Sequence, residues 1–336
     1  LGLCLAALAL AWLTWRFVET PFRLRAPVRR ATLVVGLGAS ALAAGAAFAM
    51  AQVDRVPADA RRMAEAARVD FPGGLRDCHF DGRTTVERLP GPRCHSLPGQ
   101  APALALWGDS HAYAWQPFAW RLADARNVSA GSATMNSCLP DGGVPVKQGN
   151  EGTAACAAFN RLALAWLAGG EVKTVVVALR WPLGGTADGP PSPEITARGQ
   201  GLEEGLRRLA GVPEILLMGP VPRLSRGAPE CLALGWEDRC AMSRADFERT
   251  AGAAWRELEG IAARHPNVTL VDPTNFFCGP DTCLVSRGGH SLYWDNNHVS
   301  ASAARAFAAD YLGNPGRYRR GHGGDPRSDG SDRGAR

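Results

Sequence analysis

Apolar residues fall in two different arrangements along this chain. Up to about residue 53 they form long, nearly unbroken runs; from about residue 101 they form short runs separated by amphipathic segments. The first run, Leu1 to Leu13, is apolar to its first residue and reads as the end of a longer transmembrane helix. Trp12 and Trp15 stand where an interfacial aromatic belt would lie. Ala31 to Val53 is a second apolar stretch of about 20 residues, long enough to span a bilayer, and its Gly and Ala residues suit close helix packing. Between the two runs lie five arginines (Arg16, Arg23, Arg25, Arg29, Arg30) against one acid, Glu19. The positive-inside rule then places this loop in the cytoplasm and everything after about residue 54 beyond the membrane. A buried hydrophobic hairpin is the competing reading of residues 1–53.

Residues 54–100 are polar, with little periodicity, and read as a linker plus an extension. Beyond them, strand-like runs at 103–108, 128–134, 173–180, 214–220 and 268–272 alternate with helical patterns at 111–126, 154–169, 195–210, 242–265 and 300–312. Val175-Val176-Val177-Ala178-Leu179, lying between Gly170 and Pro182, is the clearest buried strand. Ser243 followed by Asp246 marks a helix start. Such alternation predicts a parallel sheet covered by helices on both faces. Residues 314–336 are rich in Gly, Arg, Asp and Ser and are expected to be a disordered tail, His322 with them.

Composition adds the compartment. The net charge of +5 is small, lies largely in the two arginine-rich segments, and includes no basic, aromatic-laced patch of the kind that nucleic acid would need. Of nine cysteines, Cys4 lies in the first apolar run; the other eight are Cys78, Cys94, Cys138, Cys156, Cys231, Cys240, Cys278 and Cys283. None has C-x-x-C spacing, which weakens a zinc or thioredoxin-type reading. An even number in one region suggests disulfides and an oxidising compartment, with scattered buried thiols as the alternative. Eight cysteines allow 105 connectivities; local pairing, 78–94, 138–156, 231–240 and 278–283, closes short loops and is the expected one.

The candidate chemistry sits at the two ends of the alternating region. Ala103 to Trp107 leads into Gly108-Asp109-Ser110-His111, a strand, a tight turn and a helix start. Glycine permits the sharp bend, and a helix N-terminus offers N–H donors suited to a developing oxyanion. Ser110 there is a candidate nucleophile, although Gly-Asp-Ser can also be no more than a helix N-cap. Near the other end, Tyr293-Trp294-Asp295-Asn296-Asn297-His298 sets Asp295 three residues before His298. One short loop can then present an imidazole whose tautomer the carboxylate fixes. Both motifs fall at the sheet edge where active sites of such folds lie. Asp109 reads as supporting the turn, and His111 as structural, since adjacent helical side chains do not share a face. His79, His95, His265 and His290 have no partners visible in sequence. Trp107, Trp181 and Trp294 are candidates for stacking on sugar rings or for the core.

Gly108-Asp109-Ser110-His111 with the late D-x-x-H resembles the SGNH (GDSL-like) hydrolase superfamily. More narrowly, it resembles the SGNH domain fused to membrane acyltransferase-3 proteins, bacterial O-acetyltransferases of surface polysaccharides. Arg16-Phe17-Val18-Glu19-Thr20-Pro21-Phe22-Arg23 resembles the short signature that closes their membrane domain. The resemblance implies a three-layer αβα sandwich with a central parallel sheet over 101–313, preceded in 1–53 by the last two transmembrane helices. It assigns Ser110 as nucleophile, with Asp295 and His298 as its partners. The chain departs from the superfamily in lacking a G-x-N-D block. Instead, Ala178-Leu179-Arg180-Trp181 and Asn136-Ser137-Cys138-Leu139-Pro140 resemble the acyltransferase-linked subgroup. Asn136, Arg180 and a backbone N–H are each candidates for the oxyanion hole that the missing block leaves incomplete.

The function so implied is transfer of an acyl group, acetyl by resemblance, to a cell-surface or exported polysaccharide such as lipopolysaccharide. It would proceed through an acyl-serine intermediate in an extracytoplasmic domain held at the bacterial inner membrane. Acetyl-CoA would be the donor, used by a membrane-embedded acyltransferase-3 domain of the same full-length chain; this stretch carries no cofactor or metal motif. Two rivals stand beside it: a membrane-anchored carbohydrate acetylesterase using the same residues, and a non-catalytic glycan-binding module.

Overall fold

The five short apolar runs become parallel strands of one sheet. The computed structural model describes residues 8, 9, 11–20, 34, 36–38 and 40–45, and residues 56–321 apart from 73–77, 83–85, 90, 92, 93, 98, 141–153 and 185–188. The chain divides into two compact units, Leu1–Arg55 and Val56–Arg336. In the first, residues 11–20 are helical, with a π-helical turn at Trp15–Glu19. Trp12, Trp15 and Phe17 are exposed on it. No helix among the described residues is long and apolar enough to cross a membrane. The two spans expected over residues 1–53, Cys4 with them, lie largely outside the described residues.

In the second unit the strands are β1 (His79–Phe80), β2 (Pro102–Gly108), β3 (Ser129–Met135), β4 (Thr174–Ala178), β5 (Glu214–Met218), the short β6 (Met242–Ser243), β7 (Val268–Val271) and the two-residue β8 (Thr282–Cys283), β9 (Ser286–Arg287) and β10 (His290–Ser291). Six of them form one all-parallel sheet in the order β1-β3-β2-β4-β5-β7. Helices α1 (Ala58–Ala67), α2 (Ser110–Ala114), α3 (Gln116–Ala125), α4 (Ala154–Leu167), α5 (Pro193–Arg208), α6 (Ala228–Ala233), α7 (Glu237–Cys240), α8 (Arg244–Arg264), α9 (Thr274–Phe277) and α10 (Ala301–Gly313) complete it. Burial on both faces explains why β4 is Val-rich rather than alternating. Right-handed crossovers put α3 on one face and α4, α5 and α8 on the other. Side-chain contacts agree: Asn160 of α4 bonds Trp107 Nε1 at 3.2 Å, and Gly205 of α5 lies against the same indole. On the opposite face α3 and α10 meet through Phe118, Phe307 and Tyr311, with ring centroids 5.4–5.5 Å apart for Phe118. Strand order reverses beside β2, with β3 on one flank and β4 on the other. Ligand crevices of open α/β sheets form at such a reversal.

Three differences from the expected elements have physical causes. The helix predicted over 111–126 breaks at Trp115, because Pro117 enters the next helix at its first turn and has no N–H to continue the previous one. The polar stretch after residue 54 contains α1, whose buried positions are alanines, Ala64 and Ala67; methyl groups leave little hydrophobic signature. It also contains the edge strand β1, paired with β3. Finally, residues 314–321 of the expected tail are folded. Asn314 caps a turn of 3-10 helix, Pro315–Tyr318, and Tyr318 is fully buried with its hydroxyl donating to Asp310 at 2.6 Å. Arg320 pairs with Glu259 and Asp272 and stands over Trp255 at 4.3 Å. Residues 322–336, with His322, lie outside the described residues. The eight later cysteines pair as Cys78–Cys94, Cys138–Cys156, Cys231–Cys240 and Cys278–Cys283.

Candidate active site

The turn after β2 is built so that only glycine fits at position 108. A Cβ there would sit 1.9 Å from the carbonyl oxygen of Ala178 on β4 and 2.8 Å from Ala112 Cβ. Asp109 follows in extended backbone and caps α2, its Oδ1 accepting the His111 N–H at 2.7 Å. Its Oδ2 accepts the Arg180 N–H at 2.8 Å, across the gap from the end of β4. Arg198, almost wholly buried on α5, donates to the Arg180 carbonyl at 3.1 Å and to Glu194 at 2.8 Å. Burial pushes the Asp109 carboxyl above its ordinary value. The two N–H donors and the charges of Arg198 and His298 pull the other way. Ser110, the first residue of α2, is thereby fixed at the carboxyl edge of the sheet, half-buried.

The second motif forms a tight loop closed by a bridge between Tyr293 and Val299. Asp295 Oδ1 accepts the N–H groups of Asn297 and His298, each at 2.8 Å. Its Oδ2 meets His298 Nδ1 at 2.6 Å. The carbonyls of Asp295 and Asn296 accept from Ala228 and Leu224, at 2.9 and 2.8 Å, which anchors the loop to the segment entering α6. Ser300 then caps α10 by accepting the Ala303 N–H at 3.0 Å.

The two motifs meet where His298 Nε2 lies 2.8 Å from Ser110 Oγ. With Nδ1–H donated to Asp295, Nε2 presents its lone pair to the serine hydroxyl. Burial works to raise the Asp295 carboxyl, but the hydrogen bond and charge of His298 and the two backbone N–H donors outweigh it, and the group sits below its usual value. A hydroxyl, an imidazole and a carboxylate in this line can act as a nucleophile, a base and a group orienting the base.

Aromatic rings surround His298. His111 packs against it with centroids 4.6 Å apart, and Trp294 meets it edge-on at 5.4 Å. Phe71 lies against Trp294 at 5.1 Å. Burial, then the charge of His298, holds His111 well below the ordinary histidine value. His79 stacks on Tyr113 at 4.5 Å and contacts Thr134 Oγ1 at 3.0 Å. Burial and the His298 charge lower it to about 4.

Asn136, exposed beyond β3 at the same sheet edge, donates its N–H to the Phe80 carbonyl at 2.8 Å. The Arg180 N–H is taken by Asp109, while its side chain is exposed. Trp107 is fully buried and Trp181 nearly so, which removes both as platforms for a sugar; Trp294 is half-buried. Phe71, His79, Tyr113 and Arg198 join the site's surroundings without a signal in the sequence. Phe71, His79 and Arg198 come from segments remote from both motifs, while Tyr113 lies in α2, three residues after Ser110. Among the described residues no group of three or more His, Cys, Asp or Glu side chains is placed to hold a metal ion.

Comparison with known proteins gives a match of residues 77–313 to the family model described as "SGNH domain (fused to AT3 domains)". No curated protein matches the chain. Among solved structures the chain is similar to the periplasmic domain of a lipopolysaccharide acetyltransferase from Salmonella ser. Paratyphi A, at 15% identity and a TM-score of 0.48, covering 79% of this chain and 98% of that one.

Proposed function

The chain belongs to the family of SGNH domains fused to AT3 domains, and on that footing we propose that it is an O-acyltransferase that passes an acetyl group to a hydroxyl of a cell-surface or exported polysaccharide. The observation that carries this reading is the line of contacts from Ser110 Oγ to His298 Nε2 at 2.8 Å and from His298 Nδ1 to Asp295 Oδ2 at 2.6 Å. As Ser110 Oγ bonds to the carbonyl carbon of the donor, its proton passes to His298 Nε2. The departing group then takes that proton, leaving an acyl-serine. A sugar hydroxyl next gives its proton to His298 as its oxygen attacks the acyl carbon. Ser110 Oγ leaves as the alcohol, taking the proton back. Asp295 holds the imidazole in the required tautomer and offsets its transient charge. The Ser110 N–H and the Asn136 and Arg180 side chains are the candidate partners of the oxyanion.

Fusion to an AT3 domain supports a membrane acyltransferase as part of the same full-length protein. Acetyl-CoA would be consumed there, and no residue of this chain is assigned to it. Four disulfides favour an extracytoplasmic setting for the domain.

The test uses the full chain with p-nitrophenyl acetate, with and without an oligosaccharide acceptor. Wild type should release p-nitrophenol, carry one acetyl group on Ser110 in intact-mass and peptide spectra, and acetylate the saccharide. Ser110→Ala and His298→Ala should do none of these. Turnover with water as the sole acceptor makes the domain an esterase. Undiminished turnover in both variants rejects the serine mechanism.

A further inference from the structure

A cavity of about 240 Å³ is lined by Phe71, Gln116, Trp120, Arg121, Ala301 and Arg305 together with two prolines. It is linked to the Ser110–His298 site through Phe71, whose ring packs on Trp294, which in turn abuts His298. Gln116 opens α3, six residues after Ser110, and Ala301 opens α10, three residues after His298.

The lining has an uneven chemistry. It holds two guanidinium groups and no carboxylate. Arg121 reaches Asp124 only at 3.5 Å. Arg305 lies 3.2 Å from Ser302 Oγ and 3.8 Å from Asp70. Five N–H donors on each guanidinium leave most of them available after such contacts. Gln116 is 3% exposed, yet its Nε2 has no hydrogen-bond partner. A buried amide without a partner is costly unless a ligand or water supplies one. Two rings, Phe71 and Trp120, both half-buried, provide apolar faces of the width of a pyranose.

Donors in excess of acceptors, set beside aromatic faces, suit a sugar carrying a negative charge. A carboxylate or phosphate takes guanidinium N–H groups in pairs, while the C–H face of the ring lies on an aromatic side chain. We propose that this cavity is an acceptor subsite for an anionic sugar residue, held by Arg121 and Arg305 with its ring against Phe71 or Trp120. The proposal rests on the reading of the domain as a glycan-modifying enzyme and adds to it the class of glycan.

Binding is measured by calorimetry in the full chain carrying Ser110→Ala, so that no turnover interferes. The probes are a galacturonate trisaccharide, a phosphorylated trisaccharide, neutral galactotriose and inorganic phosphate. The charged trisaccharides should bind, with affinity falling as salt rises, and whichever binds more tightly identifies the anion. Arg121→Gln and Arg305→Gln should each weaken binding by about tenfold, the loss expected of one charge-assisted hydrogen bond. Trp120→Ala should weaken charged and neutral sugars alike. Equal affinity for galactotriose and the charged trisaccharides, binding of inorganic phosphate alone, or undiminished binding in the two arginine variants would overturn the proposal. Absence of binding by every saccharide would do the same. The serine mechanism fails separately, by turnover that survives Ser110→Ala.

Discussion

Asp109 accepts the backbone N–H of Arg180 at 2.8 Å, and through it the turn that carries Ser110 is tied to the end of the neighbouring strand β4. The carboxylate is buried, and its other oxygen caps α2. One side chain therefore sets both the start of the helix and its distance from the adjacent loop.

Asp109→Ala leaves two backbone N–H groups without an acceptor in a buried place. Unfolding in urea should show a loss of about 2–4 kcal/mol, and p-nitrophenyl acetate turnover should fall with it. A variant as stable and active as wild type would show that the Asp109–Arg180 contact positions nothing.

Asp295→Asn keeps the shape of the D-x-x-H loop and removes its charge. The imidazole then loses the group that selects its tautomer and offsets its charge, so kcat should fall by roughly 10²–10⁴ with little change in KM. Steady-state kinetics decide it. A rise in KM at unchanged kcat would instead make Asp295 a substrate contact.

His79 titrates at about 4 in the folded chain, against an ordinary value of 6.5, through burial and then the charge of His298. Its folded form resists protonation while the unfolded chain accepts it. Stability from this group is therefore complete above about pH 6.5 and is lost as pH falls from there towards 4. Burial acts on His111 in the same direction. Urea midpoints at pH 7, 5.5 and 4.5 should decline, and His79→Phe, which keeps a ring against Tyr113, should make the decline shallower. Parallel curves for the two proteins would count against this.

The loop bearing Asp295 and His298 hangs on Leu224 and Ala228, which enter the segment closed by Cys231–Cys240. Removing that bridge with Cys231→Ala and Cys240→Ala should cost about 2–3 kcal/mol by the loop-entropy relation and should lower kcat more than KM. Thermal melts and kinetics of the double variant test this together. Lost stability with intact kcat would show that the anchor survives without the bridge.

What the sequence disclosed depended on how local each signal was. β4 was legible because Val175, Val176 and Val177 are buried on both faces and leave no alternation to misread. Ser110, Asp295 and His298 stood out because each lies in a short motif at the end of a strand or the start of a helix. Their meeting, across 188 residues, is a property of the sheet order. Arg198 was hidden, since an arginine in an amphipathic helix reads as solvent-facing until its partners Arg180 and Glu194 are placed. Phe71 and His79 were hidden by the polar stretch around them. Tyr318 was lost in a Gly- and Arg-rich composition that outweighed one aromatic anchor.

The four disulfides join residues only 16, 18, 9 and 5 positions apart, and their spans follow one another along the chain without overlap. A chain threading into an oxidising space would thus complete each bridge before the cysteines of the next emerge. At no point would unpaired thiols of two different bridges be exposed together, and none would wait longer than 18 residues for its partner. Correct pairing is then favoured by the order of arrival, and the demand on isomerases for a domain holding eight cysteines is small.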